Sequence, residues 1–214
     1  MGRYKKNERI IVPALKTVHL LLQNDALAKE RKPKENRAED DEEETANEFE
    51  VSLLKIMKAE ASGSRSYKKL VAIVDCLLDC AGGVSWDEGG EAEKVYWDEL
   101  LTFLFVLLAH PFAKLRKYVA EQLYITCLDN DALVKDQAKY DDACSLILET
   151  PWDLDLEGED GEAGVRVKRN ELADLFGVSL SEKARAKRER KKGENKKQVD
   201  ELASYRSLVD ETGR

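Results

Sequence analysis

No Gly-rich phosphate loop, no pair of carboxylates at catalytic spacing and no nucleophile triad occurs in these 214 residues, so no active site is legible. Histidine is scarce. His19 sits in an apolar helical pattern with no acidic or Cys partner nearby in sequence, and His110 precedes a proline, so both are read as structural. Cys76 and Cys80 are four apart and share a helical face, yet no second His or Cys pair follows at ligand spacing, which argues against a metal centre. No cofactor is expected. The longest apolar run, Leu100 to Ala109, is well short of the roughly 20 residues a membrane-spanning helix needs. With no secretory signal ahead of them, Cys76, Cys80, Cys127 and Cys144 are expected to be reduced, buried thiols of a cytoplasmic protein. No stretch alternates long enough to compete as a strand.

What is present is helical periodicity and charge. Hydrophobic residues make up 43% of the chain, enough for a core, while 36% are charged, so sizeable parts stay in water. The net charge of -8 is unevenly spread: from Gly177 onward 11 Lys or Arg stand against 7 Asp or Glu, leaving -12 on the preceding part. The chain is an acidic body with a basic tail.

The first apolar stripe, Ile11, Leu15, Val18 and Leu22, predicts a helix over about 8–23 that begins or bends at Pro13. Residues 1–28 thus form a first repeat helix. Over 29–46 periodicity disappears and Glu39 to Glu44 are consecutive acids, the pattern of a disordered insert. A helical-repeat domain over 47–178 follows. Its first helix carries Phe49, Leu53, Ile56 and Met57 inward, and its second, capped by Ser66, carries Leu70, Ile73, Val74, Leu77 and Leu78. The pattern from Glu91 to Ala109 is apolar almost all round and is expected to be the most buried element.

From His110 to Leu128 the face Phe112, Leu115, Val119, Leu123 and Cys127 is apolar, and Lys114, Arg116, Lys117, Glu121 and Gln122 fall mostly opposite. Pro111, without an N–H, fits the first helical position. A shorter helix spans 138–149 with Tyr140, Cys144 and Ile147 inward, and another spans 165–176, ended by Gly177 at positive φ. Residues 179–214 form a basic, partly helical tail opened by the capping-box string Ser179-Leu180-Ser181-Glu182. Helices of 12 to 20 residues with short loops indicate an all-α fold of the HEAT or armadillo type, an α-solenoid segment of about three helix pairs.

The string Val106-Leu107-Leu108-Ala109-His110-Pro111-Phe112, then Leu115-Arg116-Lys117 and Glu121-Gln122-Leu123-Tyr124, resembles the C-terminal end of the tubulin-folding cofactor D family. Glu149-Thr150-Pro151-Trp152-Asp153, Val165-Arg166, Arg169-Asn170-Glu171-Leu172 and Asp174-Leu175-Phe176-Gly177-Val178 resemble its closing motif, and Glu8 to Lys16 is similar too. The resemblance implies a non-catalytic chaperone acting after the cytosolic chaperonin, associated with the microtubule cytoskeleton. Its partners would be β-tubulin, cofactors C and E and an Arf-like small GTPase, with tubulin GTPase activation occurring only in the assembled complex.

Six residues are candidates for partner contact: Lys114, Arg116, Lys117, Trp152, Arg166 and Arg169. Arg116 and Lys117 could meet an acidic client, or the arginine could bond a neighbouring helix end. Trp152 could anchor an interface or pack as a lid over the last helix pair. The basic run Lys183 to Lys197 could bind acidic surfaces or nucleic acid, making the chain a basic-tailed adaptor, or be a solvated tail; it holds no stacking aromatic. An inactive fragment is the third reading.

Overall fold

A computed structural model describes residues 7–27, 47–156 and 164–185. The acidic insert at 29–46 and the basic tail after Arg185 lie outside the described residues. Within them the chain is all-α, with seven helices of ten residues or more and no strand. They are α1 (Glu8–Gln23), α2 (Glu48–Ala61), α3 (Tyr67–Ala81), α4 (Glu91–Leu108), α5 (Ala113–Asp129), α6 (Tyr140–Glu149) and α7 (Val165–Leu175). A last short turn, α8, covers Glu182–Arg185.

From α1 to α6, each helix packs on the next in chain order, the next but one, or both. α1 and α2 lie on α3; α3 touches α4 and α5; α4 lies on α5, α5 on α6 and α6 on α7, while α7 returns to α4. The apolar stripes read from the sequence point into this stack, and Leu70, Ile73, Leu77, Leu115, Val119 and Leu123 are fully buried. Burying one such aliphatic side chain contributes about 1.5–3 kcal/mol.

The innermost helix is α3, not α4. Ten of its fifteen residues are buried, against eight of eighteen in α4, whose Val95 and Val106 face solvent. Its small residues Ala72, Cys76, Cys80 and Ala81 let helices close in on sides that the stripe of large residues does not cover.

α1 covers the span the sequence predicts, whereas other boundaries differ. α1 starts at Glu8, with Asn7 Oδ1 accepting the Arg9 N–H at 3.2 Å, and it continues through Pro13. Only the bond that Pro13 would donate one turn back is lost there. α5 begins at Ala113, so Pro111 precedes the helix instead of opening it. His110 and Pro111 form a corner whose carbonyls are taken up elsewhere, as described below. The cap of α8 is Ser181, not Ser179: Ser181 Oγ accepts the Ala184 N–H at 3.3 Å. Gly177 does adopt the left-handed conformation, at φ +71°, turning the chain away from α7.

Polar contacts also tie helices together inside this apolar stack. Lys69 on α3 donates to Glu60 on α2 at 3.2 Å, both side chains being buried. His19 Nδ1 on α1 lies 2.5 Å from Asp79 Oδ2 on α3, an acidic partner sixty positions along the chain and beyond any sequence window.

Candidate functional site

The segment from His110 to Lys117 is built around one buried guanidinium. Arg116 Nε donates to Trp152 O at 2.8 Å, Nη1 to His110 O at 2.8 Å and Pro111 O at 3.2 Å, and Nη2 to Leu154 O at 2.5 Å. Four carbonyls from two loops therefore converge on one planar fork. Lysine could not reproduce this, having one nitrogen and no fixed plane. Burial pushes the Arg116 pKa down while Asp155 and Asp153 nearby push it up, so the charge persists at neutral pH.

His110 completes the corner. Its Nδ1 accepts the Phe112 N–H at 3.1 Å, and its ring meets Phe112 edge-on at 4.8 Å. Burial, and then the Arg116 charge, lower its pKa below the ordinary value. A neutral imidazole accepting from backbone is what the geometry requires. On the far side, Trp152 Nε1 donates to Ile147 O at 2.8 Å, a carbonyl that Pro151, having no N–H, leaves open at the end of α6, and Thr150 Oγ adds a bond at 2.6 Å to Leu146 O, which also accepts the Thr150 N–H.

Arg169 is a second clamp, and only 1% of it is exposed. It donates to Phe105 O on α4 at 3.1 Å, to Asn170 Oδ1 at 2.9 Å and to Ala184 O at 2.5 Å, so it fixes the chain after α7 onto the body. Burial, with Arg166 and Arg185 close by, lowers its pKa to about 10. Arg185 in turn pairs with Asp174 of α7 through both terminal nitrogens.

The six candidate contact residues thus separate. Lys114 and Lys117 are exposed on the outer side of α5, and Arg166 is half-buried on α7. Arg116, Arg169 and Trp152 are 3%, 1% and 5% exposed, which corrects the reading of them as surface contacts. Their polar groups are spent on backbone carbonyls, because a buried guanidinium must fill its donors within the fold. The alternatives of an internal arginine and a packed tryptophan describe what they do.

Lys117 stands at the edge of a groove of about 590 Å³ between α5 and α6. Tyr124, Ile125, Leu148, Pro151 and the flank of Trp152 line it, and Ile125 and Leu148 are 48% and 61% exposed. No apolar stripe in the sequence marks this groove. Ile125 and Leu148 are apolar residues off the buried faces of their helices, and in a sequence window an isolated off-face residue looks like ordinary surface.

Three of the four cysteines offer no reactive thiol at neutral pH. Cys76 and Cys127 are buried, and desolvation raises each to about 12; Cys144 is half-buried, and the same cause raises it. Among the described residues no group of three His, Cys, Asp or Glu side chains could hold a metal ion, and no helix is long and apolar enough to cross a membrane. No protein-family model matches the chain, and no solved structure matches it either.

Proposed function

We propose that this chain is a non-catalytic HEAT-like segment from the closing part of a tubulin-folding cofactor of the D class, working through contact with β-tubulin. The observation that carries the reading is the Arg116 clamp. The His-Pro-Phe string and the Pro-Trp-Asp string, which bear the resemblance from separate parts of the sequence, meet at one guanidinium and form a single structural corner. The Arg-Asn-Glu-Leu string supplies the second clamp, Arg169. Residues that would be unremarkable on a surface have a joint physical role here.

Supporting it further, helices stacked on those one or two places along the chain make extended surfaces suited to a folded client. Exposed Lys114 and Lys117 beside the α5–α6 groove offer charge and apolar area together. Contacts with cofactors C and E and an Arf-like GTPase, and a place at the microtubule cytoskeleton, belong to the same proposal. Stimulation of tubulin GTP hydrolysis would be a property of the assembly, this segment serving to position its partners.

The test is retention of purified β-tubulin and cofactor E on the immobilised full-length chain, with helicity verified by circular dichroism. Retention of β-tubulin that weakens in Lys114→Glu/Lys117→Glu is expected. A folded chain that retains neither protein sinks the reading. Retention of nucleic acid instead, falling steeply with salt, would favour a basic-tailed adaptor.

A further inference from the structure

The α5–α6 groove lies beside a strongly acidic part of the chain. From Tyr140 to Glu162 the sequence has nine carboxylates and no lysine or arginine, and five of those carboxylates fall between Asp141 and Asp155, on α6 and the loop that closes the groove. Asp153 lines the groove and Glu149 lies between its residues Leu148 and Thr150. Lys117 is paired with Glu121 at 4.0 Å, so the groove's own lysine does little to offset them.

The complementary sequence is in the same chain. Lys183 to Lys197 holds nine basic residues against two acidic ones. After it, Val199, Leu202, Tyr205 and Val209 fall within about 120° of one another on a helical projection, an amphipathic pattern that the basic run precedes. The structure also fixes where this segment starts. Arg169 holds Ala184 and Asp174 holds Arg185, so the chain leaves the body beside α7, and α7 packs on α6.

We propose that residues 186–214 fold back over α6, the basic run lying along its carboxylates and the stripe from Val199 to Val209 seated in the groove against Ile125 and Leu148. The reach is sufficient. From α7 across α6 to the groove is about two interhelical spacings, roughly 20 Å, whereas the thirteen residues 186–198 span about 20 Å as a helix and about 45 Å when extended. The occupant brings apolar side chains for exposed apolar lining and cations for a flank on which the one buried Arg116 charge faces only Asp153 and Asp155, so neither half of the contact acts alone. This tail contact does not depend on the tubulin reading. It would compete with any client for the groove.

Zero-length carbodiimide cross-linking of the full-length chain tests it, with equal amounts of ¹⁴N- and ¹⁵N-labelled protein mixed and links identified by mass spectrometry. The expected result is links within one copy from Lys191, Lys192, Lys196 or Lys197 to Glu149 or Asp153. Their yield should fall about tenfold in Leu202→Asp/Val209→Asp, which removes the apolar seating without touching the body. Absence of links to residues 140–156 overturns the proposal, as do links found only between differently labelled copies, which would make the occupant a second chain. Unchanged yield in the double variant also overturns it, by reducing the contact to charge alone.

Discussion

Arg116 donates to the carbonyl of Trp152 at 2.8 Å, and the Trp152 indole donates to the carbonyl of Ile147 at the same distance. An arginine on α5 therefore orders the loop after α6, while a tryptophan in that loop closes the end of α6. The two residues are useful to the fold only together, since each fixes the backbone that presents the other.

Removing the guanidinium should be among the most damaging single changes in the chain. Arg116→Ala leaves four carbonyls without their donor, at about 1–3 kcal/mol for each that stays buried and unpaired. Water reaching the partly exposed ones lowers the total, and we expect a loss of about 3–5 kcal/mol in urea unfolding. Arg116→Lys should recover less than half of it. Full recovery by lysine would show that charge, not fork geometry, matters at this corner.

His110 makes the same corner sensitive to acid. Its folded pKa lies below its unfolded value, so the unfolded chain takes up the proton more readily. The stabilisation is present above the unfolded pKa of about 6.5 and is lost as pH falls through the lower folded value. Arg116, whose charge faces the ring, adds to the penalty on the imidazolium. Stability measured from pH 7 to pH 5 should decline, and His110→Asn, which keeps an acceptor for the Phe112 N–H, should flatten that decline. An equal slope in the variant would assign the acid sensitivity to other groups.

Glu60 and Lys69 form the buried ion pair between α2 and α3. Lys69→Met should cost about 3–5 kcal/mol because it removes the buried cation beside the Glu60 carboxylate, whereas Glu60→Met/Lys69→Met should regain most of that. A double-mutant cycle with coupling near zero would mean that the two side chains do not depend on each other in solution.

Two glycines should resist substitution for different reasons. A Cβ at Gly89 would lie 2.2 Å from the Trp97 ring, so Gly89→Ala must displace a tryptophan that is itself packed edge-on against Trp86. We expect a loss of about 2–3 kcal/mol in thermal or urea unfolding, at the upper end for an overpacked core. At Gly177 the backbone is left-handed and a Cβ would meet Lys135 Cδ at 3.0 Å, so Gly177→Ala should cost about 1–2 kcal/mol. Lys135→Ala should relieve only the contact and leave the backbone cost.

Thiol labelling gives an order that does not depend on any proposal about function. With iodoacetamide at pH 8 the folded chain should react first at half-buried Cys144, while Cys76 and Cys127, buried and raised to about 12, stay unmodified until the chain unfolds. Early modification of Cys127 would mean that the α5–α6 contact opens readily.

The sequence alone determined the helices, because a stripe such as Leu115, Val119, Leu123 and Cys127 states both the period and the face to be buried, and local chemistry at Ser66 and Gly177 marks where helices stop and start. It could not say which charged residues would be interior. Arg116 and Arg169 occupy positions that a helical wheel assigns to solvent or leaves ambiguous, and only the arrival of carbonyls from distant loops makes a buried guanidinium tolerable there. The same holds for Glu60 with Lys69 and His19 with Asp79, whose partners belong to other helices. The groove between α5 and α6 is likewise a property of two helices side by side. Periodicity is local and survives in a one-dimensional string, whereas the pairing of buried polar groups depends on which helices become neighbours, and tertiary packing decides that.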